Sequence, residues 1–123
     1  MFEDAELISC YSRQDAIDDG LLISLSDLTK DPQILGTYKY PICLTDSVFG
    51  EIREDLDRNK HKELNGILWD IVSMSHLCVL KRISESIALF AVRLNDRDIV
   101  LKIQCHASDD FSPCITIMGK DED

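Results

Sequence analysis

A mostly apolar segment from Leu64 to Ile83 constrains this chain more than any other feature. It carries the only tryptophan, Trp69, and is soon followed by sequence of a different period. Leu64, Ile67, Leu68, Ile71, Val72, Ser75, Cys78 and Val79 recur at three- and four-residue spacing. That spacing gathers them on one wide face of a 3.6-residue repeat, and such a face is buried against a sheet. Trp69, Met74, Leu77 and Leu80 fall outside the stripe, so the helix is expected to be covered on more than one side. At about 25 cal/mol per Å² of apolar area removed from water, this segment becomes a large single contributor to stability. Asn65, Gly66, Asp70 and His76 interrupt it too often for a membrane span, which needs about 20 predominantly apolar residues.

After Ser84-Glu85-Ser86 the apolar period changes to two. Ile87 to Leu94, Ile99 to Cys105 and Cys114 to Met118 read as strands, the first apolar on both faces and therefore expected to be the most buried. Asn95 to Asp98 reads as a four-residue hairpin connection, and Ala107 to Pro113 as a longer loop. Earlier in the chain, Ser12 caps a short helix with Asp15 in its first turn and Gly20 as its stop. Leu21 to Leu25 follows as a strand, Ser26 to Asp31 as a polar or helical turn, and Pro32 to Gly36 as a loop. Ile42 to Leu44 is a short strand that Pro41 restricts to a sheet edge or a strand start. Thr45 or Asp46 caps an amphipathic helix whose stripe is Val48, Phe49, Ile52 and Leu56. Arg58 to Lys62 is a charged connector. The sum is a single α+β domain over residues 1–123: an antiparallel sheet ending in a three-strand meander, packed by a central helix and an amphipathic helix.

Charge excludes some partners. Lys and Arg number 13 against 23 Asp and Glu, a net −10, so phosphate backbones and anionic lipid surfaces repel the chain. Neither direct nucleic-acid binding nor membrane binding is expected; a protein with a basic surface is the favoured partner. The five cysteines, Cys10, Cys43, Cys78, Cys105 and Cys114, have no C-x-x-C spacing and read as buried reduced thiols. Glu3, Asp4 and Glu6 stand where a secretory leader carries its basic region, which points to a cytoplasmic protein.

No catalytic constellation is legible. His61, His76 and His106 lack the i, i+4 spacing of a zinc site, and no nucleophile and base pair up in the sequence, so neither a metal nor a cofactor is expected and an enzyme is disfavoured. Two acidic groups stand out, Asp15, Asp18, Asp19, Asp27 and Asp31 early and Asp109, Asp110, Asp121, Glu122 and Asp123 late. They either form a solvated surface or imitate the phosphate line of a duplex and capture a nucleic-acid-binding protein. Tyr11-Ser12-Arg13 sets a ring and a bidentate anion-binding group ahead of a helix start. The plainer alternative packs Tyr11 and pairs Arg13 with a nearby carboxylate.

The ordered set Tyr11-Ser12-Arg13 with Ala16-Ile17-Asp18-Asp19-Gly20-Leu21-Leu22, Tyr40-Pro41-Ile42-Cys43-Leu44-Thr45, Leu68-Trp69-Asp70 and Ile115-Thr116-Ile117-Met118 resembles a family of small uncharacterised bacterial, plasmid and phage proteins. The resemblance runs over nearly the whole chain and implies a cytoplasmic accessory protein of a mobile element, with no activity to carry over. The favoured expectation is a small acidic protein that acts by stoichiometric binding, inhibiting a nucleic-acid-binding host or defence protein. The alternative is a small enzyme or nucleotide-binding domain that uses the Tyr11 and Arg13 segment with His106 or Asp110 nearby. A third, a purely structural subunit, requires an exposed apolar patch along Val48, Phe49 and Ile52. Oligomeric state is not legible.

Overall fold

The computed structural model describes residues 12–80, 87–107 and 112–122. Helix α1 (Arg13–Asp18) opens it, and the Ser12 hydroxyl accepts the Asp15 amide at 2.9 Å, the expected cap. Gly20, at φ 81°, turns the chain out of the helix. Strand β1 (Leu22–Ser24) runs directly into a single helical turn, α2 (Leu25–Leu28). Another short helix, α3 (Pro32–Leu35), stands where Pro and Gly suggested a loop. Asp31 caps it through the Gln33 amide at 2.9 Å, and Pro32 occupies the first helical position, where a missing N–H costs nothing.

The remaining elements are β2 (Ile42–Thr45), α4 (Asp46–Arg58), α5 (Leu64–Leu80), β3 (Ile87–Leu94), β4 (Arg97–Ala107) and β5 (Pro113–Gly119). Five strands form one sheet in the order β1-β2-β5-β4-β3. The meander of β3, β4 and β5 is antiparallel as expected, and so is the β1–β2 pair. One pairing departs from an all-antiparallel sheet. β2 lies parallel to β5, with Ile42 opposite Ile115 and Leu44 opposite Ile117, so the sheet is mixed. The long path between them through α4 and α5 is the crossover a parallel pair needs. Pro41 sits just before β2 and its carbonyl accepts the Ile115 amide at 2.8 Å, so β2 is a buried inner strand that starts at the proline.

The helices α4 and α5 cover one face of this sheet. Val48, Ile52, Ile67, Leu68, Ile71 and Val72 pack with Leu25 and Ile34 against Leu44, Phe90, Val92, Leu101, Ile103 and Ile117. Val48 and Ile52 are buried and Phe49 packs partly against the core, which removes the exposed patch that a structural subunit required. Two burial expectations are corrected. β3 is an edge strand, not the most buried one: Ala88, Phe90, Val92 and Leu94 face the core, while Ile87 and Leu89 are 43% and 48% exposed. Among the described residues α5 is covered on one side only, with Trp69, Met74 and Leu77 exposed at 44%, 42% and 57%. Its stripe periodicity fixed which side goes inward, but no described element covers the other.

The β3–β4 connection is also tighter than expected. Leu94 pairs with Arg97 and Arg93 with Asp98, leaving a two-residue turn of Asn95 and Asp96 at φ 58° and 63°. Both left-handed conformations match the twist of a primed hairpin turn, which asparagine and aspartate tolerate better than most residues.

Candidate functional site

Among the described residues, the fold joins the sequence-selected Arg13 to side chains more than 90 positions away. Along β5, Ile115 and Ile117 face the helices, so Thr116 projects from the opposite side of the sheet. Arg13 reaches that side from α1. Its Nη1 donates to Thr116 Oγ1 at 2.7 Å and its Nη2 to the Ile115 carbonyl at 2.9 Å. His106 Nε2 lies 2.8 Å from Thr116 Oγ1 and 3.4 Å from Arg13 Nη1. A guanidinium only donates, so Nε2 is the accepting nitrogen, taking the Thr116 hydroxyl proton. Nδ1 then carries hydrogen and donates to the Ala107 carbonyl at 3.2 Å.

This chain of donors is structural in character. Cys114 Sγ is 3.7 Å from both ring nitrogens of His106, and Cys114 is 1% exposed. Its burial keeps it from being the accessible thiol of a cysteine nucleophile. Cys43, paired across from Thr116, is buried as expected, and burial pushes its thiol up against the lowering influence of Arg13. The buried-thiol expectation fails at Cys105, which is exposed.

Asp15, Asp18 and Asp19 lie exposed on α1 or at its end, and Asp18 accepts from Gln14 one turn earlier at 2.9 Å. Tyr11, Asp109, Asp110 and Cys10 lie outside the described residues. Of the histidines, His61 is exposed, and His76 packs edge-on against Tyr38 with ring centroids 5.2 Å apart. Tyr38 bonds Ser75 at 2.9 Å, and burial raises its hydroxyl above the usual tyrosine range despite that bond.

Among the described residues, two cavities flank the helix layer. One, of ≈ 510 Å³, lies between α4 and the β4–β5 end, with Glu51 and Arg97 paired across it at 2.7 Å. The other, of ≈ 310 Å³, is bounded by Asp55, Lys62, Glu63, Gly66, Ile67, Trp69, Asp70 and Ile71 with Val92 and Arg93 of the edge strand. Neither is lined by Arg13. Asp55, fully buried, anchors the second: Lys62 Nζ sits 3.0 Å from both carboxylate oxygens and Asn59 Nδ2 donates at 2.7 Å. Burial works to raise this carboxyl, but Lys62, the Asn95 backbone amide and Asn59 together hold it below its ordinary 3.8. The Asn95 side chain completes the clasp, donating to Glu51 and Glu54 at 3.3 Å and accepting from Arg58 at 3.1 Å.

A family model matches the whole chain, residues 1–123. The chain belongs to DUF6573, a family of unknown function. No curated protein and no solved structure matches it.

Within this DUF6573 chain no described helix is long and apolar enough to cross a membrane. The feature that sequence reasoning missed is the outer side of α5. Trp69 was legible as an apolar residue off the main stripe, but only the packing shows that it faces outward beside Glu63 and Asp70. A tryptophan next to Asp70, with Glu63 just ahead of the helix, was the available signal, because a covered second face would not carry carboxylates.

Proposed function

We propose that this protein works by stoichiometric protein binding, as a small acidic cytoplasmic accessory protein of a phage or plasmid. The observation that carries the reading is the outer side of α5, where Trp69, Met74 and Leu77 stand exposed on one helix. Large exposed apolar side chains grouped on one element mark interaction surfaces, and tryptophan is enriched among the residues that dominate binding energy. The net charge of −10 favours a partner with a basic surface, such as a nucleic-acid-binding host or defence protein that the binder would inhibit, and disfavours nucleic acid itself. The test is capture from host lysate at low and high salt by the wild type and by Leu77→Glu. A specific partner retained by the wild type and lost with Leu77→Glu is the expected result; no partner at either salt overturns the reading.

A second reading, a nucleotide or other anion bound beside Arg13, draws on the convergence of Arg13 with His106. Against it, both terminal nitrogens of Arg13 already donate to the fold. Thermal shift against a nucleotide panel tests it, and a shift abolished by Arg13→Ala at unchanged fold would favour it over protein binding.

A further inference from the structure

Gly66 has no explanation within its own fold. A glycine inside a helix costs about 1 kcal/mol relative to alanine. Yet a Cβ at Gly66 would meet nothing within 4 Å, and its backbone is not left-handed. Gly50 of α4 is equally open but lines neither described cavity. Gly66 instead forms part of the wall of the ≈ 310 Å³ cavity, with Trp69 and Asp70 one turn ahead and Glu63 one turn behind. The missing side chain leaves a notch beside an exposed indole.

The charges of that notch are unbalanced. Lys62 is taken up by Asp55 at 3.0 Å, and Arg93 pairs with Asp98 at 3.4 Å. Among the described residues no ion pair holds Glu63 or Asp70, and both are exposed. An exposed indole that shares a cavity wall with two carboxylates outside any described ion pair suits a cation, since the ring quadrupole and the negative charges act in the same direction. Glycine lets the chain that carries the cation come close to the helix.

From these features we infer that the notch over Gly66, between Trp69, Glu63 and Asp70, takes an arginine or lysine side chain from a basic segment of the protein partner. This rests on the protein-binding reading and gives it a contact point. The guanidinium or ammonium lies against the indole, within about 6 Å of the ring centre.

Trp69 is the only tryptophan, so its emission reports this site alone. The experiment titrates the full chain with an alternating Arg-Gly peptide, and with a Gln-Gly peptide as control. The expected result is a saturable change in Trp69 emission with Arg-Gly only, suppressed at ~0.5 M NaCl. Joint Glu63→Gln and Asp70→Asn should weaken it about tenfold, whereas Asp27→Asn with Asp57→Asn, which removes equal charge elsewhere, should change it little. Gly66→Leu, a good helix former that fills the notch, should abolish the response while circular dichroism stays unchanged. An unchanged emission at saturating Arg-Gly, or a response that the Asp27 and Asp57 changes weaken as much as those at Glu63 and Asp70, overturns the inference. If the protein captures a partner through Leu77 while Arg-Gly leaves Trp69 silent, the notch fails and protein binding stands. If Arg-Gly binds at Trp69 but no partner is captured, the notch stands and the wider reading fails.

Discussion

Arg13 and His106 are 93 residues apart in sequence and 3.4 Å apart in space, joined through the Thr116 hydroxyl that accepts from one and donates to the other. The short helix α1 is thereby pinned to the face of the sheet opposite the main helices. Thr116 is buried, so replacing it with valine keeps the shape but removes the hydroxyl that accepts from Arg13 at 2.7 Å; chemical denaturation should show a loss of about 2 kcal/mol. Arg13→Lys should cost a similar amount, because one ammonium cannot span Thr116 and the Ile115 carbonyl as a planar fork does. Nitrogen NMR should find the neutral His106 ring protonated on Nδ1, and an Nε2–H tautomer would contradict the donor chain.

Asp55 gives the fold a defined weakness in acid. Its carboxyl is held below 3.8 in the folded protein, so it binds protons less readily there than in the unfolded chain. The stability this contributes is complete above that ordinary value and is lost as pH falls through the lower folded value. Urea unfolding followed from neutral pH into the acid range should show a steep loss at the acid end. Asp55→Ala should flatten that slope and, by leaving Lys62 uncompensated, cost about 3 kcal/mol at neutral pH.

The two residues of the hairpin turn should respond in opposite senses to glycine. Asp96 is exposed, at φ 63°, with contacts no closer than 3.4 Å, so Asp96→Gly relieves strain and should leave stability within about 0.5 kcal/mol or improve it. Asn95 has the same backbone conformation but is buried and ties Glu51, Glu54 and Arg58 to the turn. Asn95→Gly should therefore cost about 2 kcal/mol in the same denaturation assay, the worth of its side-chain clasp rather than of its φ.

Local patterns were legible and long-range ones were not. The α5 stripe, the Ser12 cap, the α4 stripe and the C-terminal meander follow from spacing along short stretches, where sequence carries the physics directly. The Asp31-Pro32 helix start was missed because proline and glycine also punctuate loops. β3 was misjudged because apolar residues on both faces suit an inner parallel strand, whereas its edge position is set by the order in which distant strands pair. Arg13 could be singled out, and His106 named as a neighbour, but its bond to Thr116 depends on β5 lying beside β2, which no local signal states.

The exposed side of α5 supplies the remaining prediction. Leu77 is 57% exposed in the last described turn of a helix whose other side is anchored by Leu68, Ile71 and Val72, each fully buried. Its apolar surface contributes little to the isolated fold, and glutamate is as good a helix former as leucine. Leu77→Glu should therefore keep the denaturation midpoint within about 0.5 kcal/mol of the wild type. Ile71→Ala, by contrast, should lose about 3 kcal/mol by opening a cavity in the core. Equal losses for both would mean that Leu77 is buried in solution. A neutral Leu77→Glu that also reduces surface-dye binding would establish that α5 presents an apolar face which the described fold leaves uncovered.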